Sequence, residues 1–194
     1  MLSIVKSMTL HGLEGFIVDV QVDVAGGLPC WEIVGLPDVS IREAKERVRT
    51  AIKNSGYEFP SRRIVINLAP ATIKKEGAIF DLPIAIAILM ASGNVQYFNF
   101  DEIVFLGELS FDGKINPVRG VLAMCIEAKK MGFKKIIVPK ENAKEASIVE
   151  NIDVIPVKTL NQVIAFLNKK INIVPEKLDV GVWLNKRQKY NMDF

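Results

Sequence analysis

The sequence predicts an α+β domain, a two-layer arrangement in which helices cover a mixed sheet. Three observations carry this. Residues 16–24 alternate strictly: Phe16, Val18, Val20, Val22 and Val24 fall on one face, Asp19, Gln21 and Asp23 on the other. The stretch GLPDVSIREAKERVRTAIKNSGYEFP then switches to a helical period. Beyond it, short apolar strands and amphipathic helices alternate to about residue 170.

Taken in order, SIVKSMTL is a first strand, and HGLEG is a turn into the alternating second one. Polar residues on one face of these strands suit an antiparallel sheet with a single covered face. CWEIVGL is a third short strand. The following helix has Asp38 or Ser40 as its N-cap, and Ser40 with Glu43 fits a capping box. Ile41, Ala44, Val48 and Ala51 form its apolar stripe, Gly56 stops it, and Pro60 follows. RRIVINLAP is a strand closed by Pro70, and KKEGAIFDLPIAIAIL is a loop running into a helix apolar on all sides. Asp81 stands at that junction, where a carboxylate can cap the helix, with Pro83 in the first turn. As a cap, its replacement by alanine is expected to cost about 1 kcal/mol.

EIVFLGELSFDGKINPV reads as a hairpin turning at Asp112-Gly113, and VRGVLAMCIEAKKMG as a helix ending at Gly132. KKIIVP is a strand, residues 140–149 a polar helix, NIDVIPV a strand and LNQVIAFLNKK a closing helix. After residue 170 the periodicity is lost. Residues 1–170 are therefore taken as one domain and 171–194 as a linker or tail.

Composition excludes several classes. The 194 residues are 49% apolar and 24% charged, ordinary for a globular domain. A net charge of +3 permits nucleic-acid contact without demanding it. One histidine and two distant cysteines, Cys30 and Cys125, do not assemble a zinc site, so no metal is expected. No apolar run approaches the roughly 18 residues of a spanning helix, and the N-terminus lacks a signal-peptide pattern. A cytoplasmic protein without membrane contact is expected.

The motifs of nucleotide and acyl chemistry are missing. GELSFDGKI resembles a phosphate-binding loop only loosely: it is one residue too long, and Ile115 stands where a magnesium-binding hydroxyl belongs. His11 is the one histidine, in a turn-like pair with Gly12. Basic residues are better represented. Arg42, Lys45, Arg49 and Lys53 share a face of the first helix, and Arg62, Arg63, Lys74 and Lys75 follow. They form either a solvated surface, with Arg42–Glu46 and Glu43–Arg47 as helix pairs, or a DNA or partner contact. Trp31 and Trp183 are not interleaved with this basic run, so the sequence gives little support to stacking on single strands.

The stretches GLPDVSIREAKERVRTAIKNSGYEFP, RRIVINLAPATIKKEGAIFDLPIAIAIL and GELSFDGKINPVRGV resemble the N-terminal domain of the ComM/YifB family, magnesium-chelatase-subunit-like AAA+ proteins. The resemblance implies a fold similar to the Lon protease domain and to the second domain of a small-ribosomal-subunit protein. It implies a longer, hexameric protein whose AAA+ module binds ATP and magnesium and drives DNA branch migration in natural transformation. No Walker motif lies in this chain, which is thus expected to be an N-terminal part, its KYNMDF end leading toward that module. Partners implied are the AAA+ module, DNA and other copies of the chain.

The Lon likeness also implies a place to look for a Ser-Lys dyad. The loop that carries the nucleophile in Lon-type peptidases corresponds to residues 76–81, which include no serine, threonine or cysteine. The nucleophile position falls on Ile79 or Phe80, and the lysine position on Leu122. Neither an apolar side chain at the first nor one at the second can attack a carbonyl or carry a proton. The chain itself is therefore expected to have no catalytic residue and no cofactor, and to be a non-catalytic accessory domain; the alternatives are a divergent Lon-like peptidase domain and a free-standing nucleic-acid-binding module.

Overall fold

The computed structural model describes residues 1–96 and 100–178. Its centre is a hairpin of β1 (Leu2–His11) and β2 (Glu14–Ala25), paired in register from Leu2 with Asp23 to His11 with Glu14. Gly12 closes the turn at φ +64°, a conformation that suits glycine. On the far side of β2, β4 (Arg63–Ala69) pairs antiparallel, and β3 (Cys30–Val34) joins β4 in parallel as the edge. On the other side of β1 lie β5 (Ile103–Phe105), β8 (Lys135–Pro139) and β9 (Asp153–Val157), all parallel. The result is one seven-stranded mixed sheet in the order β3-β4-β2-β1-β5-β8-β9.

Alternation decides which face is covered. Val18, Val20, Val22 and Val24 are buried together with Ile64, Ile66 and Leu68 of β4. The opposite face of these strands is tied by polar pairs: Lys6 with Asp19 at 2.8 Å and Asn67 with Gln21 at 3.0 Å. Helix α2 (Asp81–Ala91) lies on β1 and β2, and α1 (Val39–Asn54) packs on α2. Every residue of α2 from Asp81 to Leu89 is buried, as its unbroken apolar sequence requires. Helix α1 instead buries one stripe, Ile41, Ala44, Val48, Ala51 and Ile52. Asp38 is its N-cap, accepting the Ile41 N–H at 2.8 Å; Ser40 does not serve. Helix α3 (Val121–Lys130) lies over the opposite face near the hairpin turn, where Gly15 of β2 meets Glu127, and α5 (Leu160–Leu167) packs on β9.

Two expectations change. Residues 102–118 are not one hairpin from end to end, although the turn at Asp112-Gly113 forms. β5 enters the main sheet, while β6 (Glu108–Leu109) and β7 (Ile115–Asn116) form a separate ribbon. The break falls at Gly107, whose N–H donates to the Ile79 carbonyl while its own carbonyl accepts the Leu82 N–H. A Cβ at Gly107 would stand 2.7 Å from Ile115 Cγ2, so the approach needs glycine. The polar helix expected at 140–149 shrinks to a 3-10 turn and one turn of α4 (Ala143–Ala146). Of the expected tail, residues up to 178 run along the domain. The Glu176 N–H donates to Val154 O at 2.8 Å, and its carboxylate pairs with Lys140. Residues 179–194 of the linker, including the terminal KYNMDF, lie outside the described residues.

Candidate functional site

Two regions were singled out by the sequence, and both lie beside α1. The first is the loop before α2. Asp38, having capped α1 with one oxygen, accepts the Gly77 N–H with the other at 2.9 Å. The loop is thereby hooked to the start of α1, and residues 78–80 follow as a single 3-10 turn. Ile79 and Phe80 are buried in this turn, and Leu122 is half-buried in the first turn of α3. A cavity of about 410 Å³ opens alongside, with Ile79, Glu76, Glu108, Arg119 and Met8 in its wall. Ile79 lines it; Phe80 and Leu122 do not.

Asp81 does not cap α2. The residue before the helix is Phe80, no side chain caps that end, and Asp81 is already helical. Its wholly buried carboxylate is engaged elsewhere. Arg47 of α1 approaches it with Nε at 2.6 Å and Nη2 at 3.1 Å, and the Leu109 N–H of β6 donates to it at 3.2 Å. One acid thus joins α1, α2 and the ribbon. Burial pushes the Asp81 carboxyl up to about 6, against the pull of Arg47 and the Leu109 N–H. In turn Asp81, by hydrogen bond, holds the Arg47 guanidinium above its ordinary value. Glu43, the expected helix partner of Arg47, stands farther off at 3.9 Å.

Lys75 likewise departs from the expected contact role. It is fully buried, and its ammonium donates to the carbonyls of Gly35, at 2.8 Å, and Pro70. Gly35 follows β3 and Pro70 follows β4, so both carbonyls lie beyond their strands' ladders, and the lysine supplies a donor to each. Burial lowers its pKa. Gly35 itself, at φ +100°, has no room for a Cβ because the Leu68 carbonyl is against it. Lys74 is exposed and pairs with Glu76 at 3.0 Å. Arg63 also leaves the group. Ile64 beside it faces the core, so Arg63 stands on the other face of β4, 3.8 Å from Glu32.

The second region is the outer side of α1. Here the structure brings Lys45, Arg49, Lys53 and Arg62 around one groove of about 200 Å³ between α1, β3 and the segment before β4. Arg42 is exposed on the same helix but outside the groove wall. The wall also holds two aromatic residues: Trp31, which its place in the sequence set apart from the basic run, and Phe59, which the sequence reading did not single out. Trp31 of β3 and Phe59 stack at 5.3 Å between centroids with planes 11° apart. Arg49 lies over the Phe59 ring at 5.7 Å, and Lys45 donates to the Trp31 carbonyl. The signal was present as strand alternation: Trp31 pairs with Ile64, a core position, and so faces the helices. The aromatic and basic residues meet through folding, not through adjacency in the chain.

A mixed α+β domain with a polar outer sheet face, a buried apolar helix behind a loop, and a basic-aromatic groove defines the class structurally. Sequence comparison supplies the family. Residues 20–142 match the family described as subunit ChlI of Mg-chelatase. The chain is 43% identical over 169 residues to YifB of Escherichia coli, covering 87% of this chain and 33% of that protein. It is 37% identical over 190 residues to the competence protein ComM of Haemophilus influenzae, covering 98% of this chain and 36% of that protein. Lon protease 2 of Bacillus subtilis is more distant, 27% identical over 179 residues, covering 83% of this chain and 32% of that protein. The chain belongs to the magnesium-chelatase-subunit-like family that includes YifB and ComM. It spans about a third of the length of these relatives. Among the described residues no helix is long and apolar enough to cross a membrane.

Proposed function

We propose that this chain is a non-catalytic accessory domain of a ComM-like AAA+ ATPase, and that the outer side of α1 is where it meets DNA. The observation that carries the reading is the gathering of Lys45, Arg49, Lys53 and Arg62 on one groove. Clustered cations attract phosphate far more than their contribution to net charge suggests. The loop at 76–81 supports the non-catalytic part, since its residues offer no hydroxyl or thiol nucleophile. In this reading ATP and magnesium belong to the AAA+ module of the longer protein, and assembly of copies into a ring adds avidity to a weak single contact.

The test is direct. The chain alone is expected to turn over no ATP and to bind DNA at low salt, with affinity falling steeply as salt rises. Steady ATP hydrolysis would remove the accessory reading. Absence of DNA binding even at low salt would remove the DNA contact.

A further inference from the structure

We propose that the groove between β3 and α1 is a site for single-stranded DNA, one base against the Trp31–Phe59 wall and its phosphate among Lys45, Arg49, Lys53 and Arg62. This rests on the DNA contact proposed above and specifies its strand type.

The charge of the groove is unbalanced. Four cations line it against one carboxylate, Glu46. Among the described residues none of the four stands in an ion pair, whereas Lys6, Arg47, Arg63 and Lys74 do. The groove therefore holds an anion-sized deficit beside two aromatic rings. Both rings are half-buried, so each keeps part of its surface at the groove. The Trp31 indole Nε1 is buried and has no hydrogen-bond partner among the described residues. An indole N–H only donates, so what it lacks is an acceptor. A buried donor without a partner is uncommon and costly. The atom is closed to solvent, so a phosphate or base oxygen in the groove meets it only when the indole turns.

Size selects the strand. A groove of about 200 Å³ admits one base, with its phosphate at the basic rim, and not a stacked pair. In a duplex the base faces are occupied by their neighbours, and only phosphates reach a protein rim such as Arg42 and Lys53. A single strand can splay a base onto an aromatic wall while its backbone follows the cations. Acidic peptide could match the charge, but it offers no flat ring to the Trp31–Phe59 wall.

The experiment uses the chain with Trp183→Phe, which leaves Trp31 as the one tryptophan of two. Oligothymidylate and a duplex of equal length are titrated at low salt, reading DNA anisotropy and Trp31 fluorescence. Oligothymidylate is expected to bind about tenfold more tightly than duplex and to quench Trp31. Phe59→Leu is expected to abolish most of the preference for oligothymidylate over duplex, together with the quenching of Trp31. Should that variant fail to melt cooperatively, Arg62→Gln on the exposed rim replaces it. That variant should weaken oligothymidylate binding and quenching together. Equal binding of both DNAs with Trp31 unquenched overturns the single-strand site and leaves the DNA contact standing. Polyglutamate that displaces oligothymidylate and quenches Trp31 as fully also overturns it. Binding of neither DNA overturns both proposals.

Discussion

Arg47 and Arg49 stand two residues apart on α1 and meet opposite environments. Arg47 turns inward to a buried carboxylate, held by two of its nitrogens, with the Ser40 carbonyl as a further acceptor. Arg49 turns outward, over Phe59, and stands in no ion pair among the described residues. The same contrast recurs one loop away: Lys75 is buried on backbone carbonyls, while its neighbour Lys74 pairs with Glu76 in solvent. The lesson is that a basic run along a chain is two populations. One population fixes the architecture and cannot be spared for a ligand. The other lies at the surface in contacts that contribute little to stability.

The sharpest way to break this division is at Asp81. If it were a helix cap, Asp81→Ala would cost about 1 kcal/mol. As the buried partner of Arg47 its loss strands a guanidinium and an N–H, and about 3 kcal/mol of stability should go, measured by urea unfolding. That is the lower part of the range for broken buried pairs, because the Arg47 side chain keeps 20% of its surface exposed. Replacing both partners, Arg47→Met with Asp81→Leu, should recover most of the loss, since no charge is then left unpaired. A loss near 1 kcal/mol with no recovery in the double variant would return Asp81 to the role of a cap.

The lysine pair gives the next largest effect. Lys75→Met removes the buried ammonium that ties the Gly35 and Pro70 carbonyls together and should cost about 2 kcal/mol in the same assay. Lys74→Met should leave the unfolding midpoint where it was, because its ion pair is exposed. Equal effects at the two positions would erase the distinction between them.

A smaller, signed effect follows from pH. The Asp81 pKa is raised in the folded state to about 6, against about 3.9 in an unfolded chain. Between these values the folded protein holds a proton that the unfolded one has released. The contribution of Asp81 is therefore fully favourable below pH about 4 and is lost as pH rises through about 6. Relative to Asp81→Asn, the wild type should lose about 1 kcal/mol per pH unit across that window. A difference that grows with rising pH instead would mean that Arg47 outweighs burial.

These contrasts also mark what the chain disclosed and what it kept. The hairpin, the buried α2 and the single apolar stripe of α1 were legible because a period of two or of 3.6 is written in consecutive residues. Gly107 hid the split between β5 and the ribbon, because its partners, Ile79 and Leu82, are about 25 residues earlier. Asp81 was misread for the same reason. A carboxylate at the first turn of a helix has a local use, and only the packing of α1 on α2 brings Arg47 to compete for it. The basic face of α1 was legible as a helical stripe, but Trp31 and Phe59 reach it through β3 and the segment before β4. Local rules see neighbours in sequence, and the groove is made of neighbours in space.

A small change in stability is expected at Arg49, and it is the one that bears on function. Arg49→Gln removes an exposed cation that has no ion pair among the described residues, so stability should move by no more than about 0.5 kcal/mol. Its cation–π contact with Phe59 is half in water and adds little to that figure. DNA affinity should nevertheless fall, and the slope of log affinity against log salt should become shallower by about 1, the signature of one lost phosphate contact. Arg47→Gln should show the reverse pattern: a large stability loss and, in whatever fraction stays folded, an unchanged salt slope. An unchanged slope in Arg49→Gln would place Arg49 with the merely solvated residues and move the DNA contact off the groove.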